Sequence, residues 1–363
     1  MLKSKNWINN IPQPVVGRAL DDIKKEYALE EAWDLSGNEN PLGVSPLGAK
    51  AMAVAAAKAS VAPDRSCSEL RSALSSSLGV MEKELFFANG SAEILKALVL
   101  AYVDHGDEVI LTETADFALG AIVDLCCGIK KSIPLNEDYI TDLPYLASAI
   151  SLKTKLLYFA NPDKAAGTIV SKRNLLQVLH RIGKDHLIII DESYGEFPDN
   201  PDHVDGLEIF KNFSNVVLIR SFSYAYGLAG LSLNYAVASP EIISEMNKTM
   251  TLPGFSPLAQ AGALAAFLDK EHLKKSLDYI RVEREFLIDS LTELGITSVK
   301  SQANFLLVDT GMSGAVVVRA LMAKGIIVRS GAEFGFPNSI RVSVGLHREN
   351  EGFLQALGEF LKN

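Results

Sequence analysis

At 363 residues and 39.3 kDa, the chain is long enough for two ordinary domains and a large buried core. A hydrophobic fraction of 48%, a charged fraction of 22% and a mean hydropathy of +0.15 exclude a largely disordered or low-complexity polypeptide. Lys+Arg 35 against Asp+Glu 44 gives a formal net charge of −9, and no basic tract interrupts it, so nucleic acid is excluded as an expected partner.

The N-terminal stretch 1–32, with Pro12 and Pro14, reads as an arm that packs against the second domain or a partner subunit. Residues 33–252 read as a large α/β domain. Short β-rich runs alternate there with helix-patterned stretches, predicting a mostly parallel sheet flanked by helices. The predicted strands are Phe86–Ala88, Glu108–Leu111, Lys130–Pro134, Leu156–Ala160, Leu187–Asp191, Val216–Arg220 and Tyr235–Ala238, taken as apolar runs covered on both faces. From 253 to 363 the pattern becomes that of a smaller α+β domain. A long helical region, Pro257 to Leu294, leads to Phe305–Asp309, a helix, Ile326–Arg329, Ile340–Val344 and a final helix.

Cys67, Cys126 and Cys127 cannot form a disulfide framework, and neither they nor the six histidines show metal-ligand spacing, so no metal is expected. No stretch has the pattern of a signal peptide or a membrane span, which makes a cytoplasmic protein with no membrane partner the expectation.

Two segments read as site addresses. Asp191-Glu192-Ser193-Tyr194 ends a strongly apolar strand, placing a carboxylate at a strand end, where burial demands a cation or hydrogen-bond donors. Asn89-Gly90-Ser91-Ala92-Glu93 follows another strand and opens a helix, whose first N–H groups suit an anion.

With Gly37-Asn38-Glu39-Asn40-Pro41-Leu42-Gly43, Asn161-Pro162 through Gly167, Ser221 to Gly230, Ala303-Asn304-Phe305, Val328-Arg329 and Ile340-Arg341, these segments resemble the fold type I pyridoxal-phosphate aminotransferases. Within them the likeness is to the histidinol-phosphate aminotransferases and the related threonine-phosphate decarboxylases, and it runs almost end to end. The resemblance implies that Asp191 pairs with the pyridine nitrogen and keeps the ring an electron sink. It implies that Tyr194 bonds the ring's phenolic oxygen, that Phe117 stacks on the ring, and that Gly90, Ser91, Ala92, Ser221 and Ser223 lie around the phosphate. Asn40, Arg341 and Arg329 fall at substrate positions, Arg341 on a carboxylate and Arg329 on a second anionic group. A homodimer is expected by the same analogy.

The chain departs from the family where the Schiff-base lysine stands, because that position is Tyr224, and a phenol cannot form an imine. Ser232 stands for a phosphate-binding arginine, Ala62 for a tyrosine given to the neighbouring subunit, and Lys164-Ala165-Ala166-Gly167 for Asn-Pro-Thr-Gly.

Plainer readings stand beside these. Asp191 could cap a turn, Arg329 and Arg341 could be surface residues, Ser91 and Ser221 could cap helices, and Tyr224 could fill the former lysine channel. Lys164 could replace the missing amine, or it could face solvent or fill the phosphate pocket.

Three functions follow. The first is a diverged enzyme without ordinary lysine-dependent transamination, keeping an anion-binding cleft for an amino acid or phosphorylated amine, with pyridoxal or pyridoxamine phosphate held non-covalently or absent. The second is an orthodox pyridoxal-phosphate aminotransferase using Lys164, and the third is a non-catalytic binding or scaffold dimer.

Overall fold

The computed structural model describes residues 8, 11, 20–115, 117–250 and 254–362. Most of the predicted arm, including Pro12 and Pro14, lies outside the described residues. Its final part forms a helix, Leu20–Tyr27, and runs into β1, Trp33–Asp34.

The strands that follow are β2 (Leu85–Asn89), β3 (Glu108–Thr112), β4 (Ile129–Ile133), β5 (Thr154–Ala160), β6 (Leu187–Asp191), β7 (Val216–Ser221) and β8 (Leu233–Val237). They build one seven-stranded sheet in the order β2-β8-β7-β6-β5-β3-β4. Parallel pairing joins β7, β6, β5, β3 and β4, whereas β8 runs antiparallel to both of its neighbours, β2 and β7.

Alternation along the central strands divides the core into two layers. Leu156 and Tyr158 of β5, Ile189 of β6 and Val217 and Ile219 of β7 pack with the helix Ser91–Tyr102. Leu157, Phe159, Ile188, Ile190 and Leu218 pack on the opposite face with the helices Ser68–Leu78 and Lys172–Ile182. Both faces of these strands are therefore dry, as their near-continuous apolar sequences require. The expectation of two covered faces fails for β4: it is an edge strand, and Lys130 and Lys131 make ion pairs with Asp124 and Glu108 at its margin.

Beyond residue 253 the predicted helical region is two helices, Pro257–Leu268 and Lys270–Glu293, divided at Asp269, whose carboxylate accepts the His272 N–H at the start of the second. The remaining strands are β9 (Thr297–Ser298), β10 (Phe305–Asp309), β11 (Ile326–Ile327), β12 (Arg329–Ser330) and β13 (Ser339–Ser343). Four of them form an antiparallel sheet in the order β12-β13-β10-β9. The run read as one strand, Ile326–Arg329, is thus split: β11 leaves that sheet and pairs in parallel with β1, tying the residues that follow the arm to the C-terminal region.

Candidate functional site

Parallel pairing sends the carboxyl ends of β3, β5, β6 and β7 to one edge of the large sheet, the edge where open α/β sheets present ligand sites. Asp191 ends β6 opposite Ala160 of β5 and is 1% exposed. It shares its sheet face with Tyr158, whose hydroxyl donates to Asp191 Oδ2 at 3.0 Å. Lys164 Nζ lies 2.7 Å from the same oxygen. The Ser193 N–H and hydroxyl donate to Oδ1 at 3.0 and 2.5 Å. Burial alone would raise the Asp191 carboxyl, but Lys164 and the Ser193 bonds outweigh it and hold the group below its ordinary range. An ionised carboxylate offers about four lone-pair sites, and these four donors engage them.

The turn that delivers Lys164 is built by its neighbour. Buried Asp163 accepts the Ala165 and Ala166 N–H groups at 2.9 and 2.8 Å and the Thr114 hydroxyl at 2.5 Å, while the Gly167 N–H closes the turn on its carbonyl. Gly167 has φ +71°, and a Cβ there would meet Ser301 Oγ at 2.0 Å, so the turn sits hard against the segment before β10. Burial leaves Asp163 above the ordinary carboxylate range despite those bonds. Neither loop alternative for Lys164 holds: its side chain is 12% exposed and points at Asp191 rather than at solvent or the predicted phosphate positions.

Tyr194 and Tyr224 form a second cluster. Their rings stack with centroids 4.4 Å apart at 21°, and Phe305 meets Tyr194 edge-on at 5.2 Å. Tyr224 lies against Tyr194; the proximity of Tyr194 and burial push its phenol well above the ordinary tyrosine value, leaving a neutral group unsuited to act as a base. The Asn38 amide donates to the Tyr194 hydroxyl at 2.9 Å, and Asn38 is itself fixed by Ser343 and Asn304. Gly227, at φ +67°, lets the Tyr224 loop approach the Gly43 carbonyl, where a Cβ would stand 2.2 Å from that oxygen. Asn40 fastens the same two loops, donating to the Ala225 carbonyl at 3.0 Å and accepting the Leu42 N–H at 2.9 Å. Its amide thereby ties the two loops together.

Arg341, on β13, is 5% exposed, which removes the surface-arginine reading for it. One guanidinium nitrogen donates to the Lys164 carbonyl at 2.9 Å and another to the Ser36 carbonyl at 3.4 Å, while Nε has no partner. The rings of Phe305 and Phe334 flank the group at 5.0 and 4.6 Å. Among the described residues no carboxylate lies within salt-bridge distance. Burial draws Arg341 below the ordinary arginine value, against the opposing influence of Tyr194. Arg329, opposite it in the sheet, is more exposed and pairs with Glu333.

The positions expected around a phosphate are less charged. Ser91 does not cap its helix: Gly90 holds the cap position, and Glu93 accepts the Asn89 N–H. Ala92 sits in the first turn. Ser221 accepts the Ser223 N–H at 3.0 Å in a local turn, and Ser232 is exposed in a left-handed conformation. None of these side chains is a cation. Phe117 opens the helix Phe117–Leu125, is 49% exposed and makes no ring contact among the described residues.

Sequence reading missed Tyr158, Thr114 and Ser343 as site residues, and it quoted Asn38, Asp163 and Asn304 within motif segments without giving them a role. Only Asp163 left a local signal, as an Asx residue followed by small residues and a glycine. No group of side chains able to hold a metal occurs among the described residues, and no described helix is long and apolar enough to cross a membrane.

Comparison with known proteins gives this arrangement its context. Residues 30–357 match the model of aminotransferase class I and II. The chain is 37% identical over 348 residues to histidinol-phosphate aminotransferase from Anaeromyxobacter sp. (strain Fw109-5), covering 96% of each chain. It is 34% identical over 362 residues to the protein of that name from Brevibacillus brevis, with 99% of each covered. The solved histidinol-phosphate aminotransferase from Sinorhizobium meliloti in complex with pyridoxal-5'-phosphate superposes with a TM-score of 0.91 at 25% identity, covering 100% of this chain and 98% of that one. Aspartate aminotransferase from Thermotoga maritima, at 19% identity, shares the fold with a TM-score of 0.87, covering 99% and 100%. These relatives support an aminotransferase function, with pyridoxal phosphate as the group that the family implies. The chain belongs to the aminotransferase class I and II family and has the α/β fold of the fold type I pyridoxal-phosphate aminotransferases.

Proposed function

We propose that this is a diverged member of the family that does not perform ordinary lysine-dependent transamination and whose cleft holds the carboxylate of an amino acid or phosphorylated amine on Arg341. Arg341 carries the reading. A guanidinium removed from water and flanked by aromatic faces, with only backbone carbonyls and no carboxylate on it, is suited to bidentate pairing with an incoming carboxylate. Arg329 stands nearby for a second anionic group once it leaves Glu333.

The residues at the other end of the cleft do not fit pyridoxal phosphate as the family binds it. Asp191 has no acceptor site left for a pyridinium N–H, Tyr224 offers no amine, and the phosphate positions Gly90, Ser91, Ala92, Ser221 and Ser223 bring no cation. The alternative in which Lys164 replaces the lysine is weakened by its direction. It reaches the carboxylate assigned to the ring nitrogen, which lies across a pyridoxal ring from the aldehyde carbon.

This reading keeps the division into an arm (1–32), a large domain (33–252) and a small domain (253–363), with the site between the two sheets. It also includes a two-fold dimer through the groove of about 840 Å³ on the helices Pro46–Ala56 and Pro257–Leu268, where Leu47, Val54, Val61 and Leu268 are exposed beside Ala62. Sedimentation should give twice the chain mass for the wild type and one chain mass for Val54→Glu.

Calorimetry against amino acids and phosphorylated amines, beside a turnover assay and borohydride trapping, tests the function. Saturable binding of a carboxylate-bearing amine that weakens by roughly 30-fold or more in Arg341→Ala is expected. Unchanged affinity in that variant, or normal transamination with a trapped lysine, defeats the proposal. Turnover separates a diverged enzyme from a binding dimer.

A further inference from the structure

We infer that Lys164 is a built-in substitute for a pyridinium cation: its ammonium, seated on Asp191, closes the ring site to pyridoxal phosphate and pyridoxamine phosphate. This deepens the reading above and rests on it for the identity of the ring site. A carboxylate as buried as Asp191 needs one compensating cation, and Lys164 supplies it at 2.7 Å from a side chain that is itself only 12% exposed.

A pyridinium arriving at Asp191 would have to displace that ammonium into a largely water-excluded space, setting two cations against one negative charge. Displacement would free only the ammonium's own site on Oδ2, because Tyr158 holds the other and the Ser193 N–H and hydroxyl hold Oδ1. The Tyr194 hydroxyl, the implied partner of the ring's phenolic oxygen, already accepts from Asn38, and the Tyr224 ring covers the Tyr194 face. At the phosphate end, Ser221, Ser223 and Ser232 provide no charge to offset the cost of displacing Lys164. The turn built by Asp163 fixes the Lys164 backbone, and Arg341 bonds its carbonyl, so the lysine is held in place from both sides.

Lys164→Asn reverses the substitution at the charge and leaves the turn's polar character. Wild type and K164N are each titrated with pyridoxal phosphate and with pyridoxamine phosphate, followed by absorbance and calorimetry, and then reduced with borohydride and analysed by mass spectrometry. The wild type should show no saturable binding up to about 1 mM, and K164N should bind at least about tenfold tighter than the wild type, because its Asp191 then lacks a cation.

Micromolar saturation of the wild type, a pyridoxyl adduct on Lys164, or a folded K164N without gain overturns the inference. If K164N does not fold, K164Q takes its place, and the wild-type titration needs neither variant. Non-covalent cofactor binding by the wild type without turnover sinks this inference and leaves the proposed function standing. Loss of the Arg341 effect on ligand binding does the reverse.

Discussion

Two arginines, Arg341 buried and Arg220 nearly so, meet the cost of desolvation in opposite ways. Arg220, at the end of β7, donates twice to Glu192 at 2.9 and 3.0 Å and once to Asp205 at 2.5 Å. Burial would lower it, but Glu192, Tyr235, Asp205 and Glu196 outweigh that and hold it well above the ordinary arginine value. Arg341, on the other sheet, has carbonyl oxygens and aromatic faces but no carboxylate among the described residues, and burial wins. The first arginine is neutralised within the chain, and its loss is a matter of stability. The second keeps its charge unspent, which is the condition of a binding group.

The same substitution at both positions tests that contrast. Arg220→Met leaves Glu192 buried without its cation and is expected to destabilise the fold by about 3–5 kcal/mol, read by denaturant unfolding. A loss below about 1 kcal/mol would put Arg220 in the same class as Arg341.

The acidic groups around Arg220 predict the next largest effect. Glu196 is pushed up to about 7, chiefly by burial, and its Oε2 has no partner; Arg220 faces it with Glu192, Asp205, Tyr226, Tyr235 and Lys270. A carboxyl whose folded value lies above its unfolded value stabilises fully below about 4.5 and loses that contribution as pH rises through about 7. Glu196→Gln should therefore flatten the decline in stability between pH 5 and 8 and leave the variant about 2–3 kcal/mol more stable relative to wild type at pH 8 than at pH 4. Parallel stability–pH curves for the two proteins would show that Glu196 ionises freely in the fold.

How much of this was legible in the sequence depends on the range of each interaction. Leu187–Asp191 reads as a buried strand because five consecutive residues carry the signal, and all of them are buried. The edge position of β4 and the reversed direction of β8 leave no such trace, since periodicity reports which faces are covered and says nothing of neighbours or direction. Asp191 and Arg341 stand out as charges closing or interrupting apolar runs. Their partners do not: Ser343 meets Asn38 across 305 positions, and Lys164 reaches Asp191 only because β5 and β6 are adjacent in the sheet. The expectation that Lys164 could replace the missing amine came from its standing where the family has the asparagine of Asn-Pro-Thr-Gly. A lysine chain is longer than that asparagine's, and the nearest buried carboxylate decides where its ammonium goes.

The smallest expected effect on stability is the sharpest half of the comparison. Arg341→Met keeps apolar contact with Phe305 and Phe334 and removes a buried charge that no carboxylate balances. It gives up two hydrogen bonds to carbonyl oxygens and the attraction of the rings. The lost desolvation cost offsets those losses, so unfolding free energy should change by less than about 1 kcal/mol in either direction while carboxylate binding disappears. Destabilisation as large as that of Arg220→Met would mean that the Arg341 guanidinium is satisfied within the fold, and the carboxylate would have to be held elsewhere.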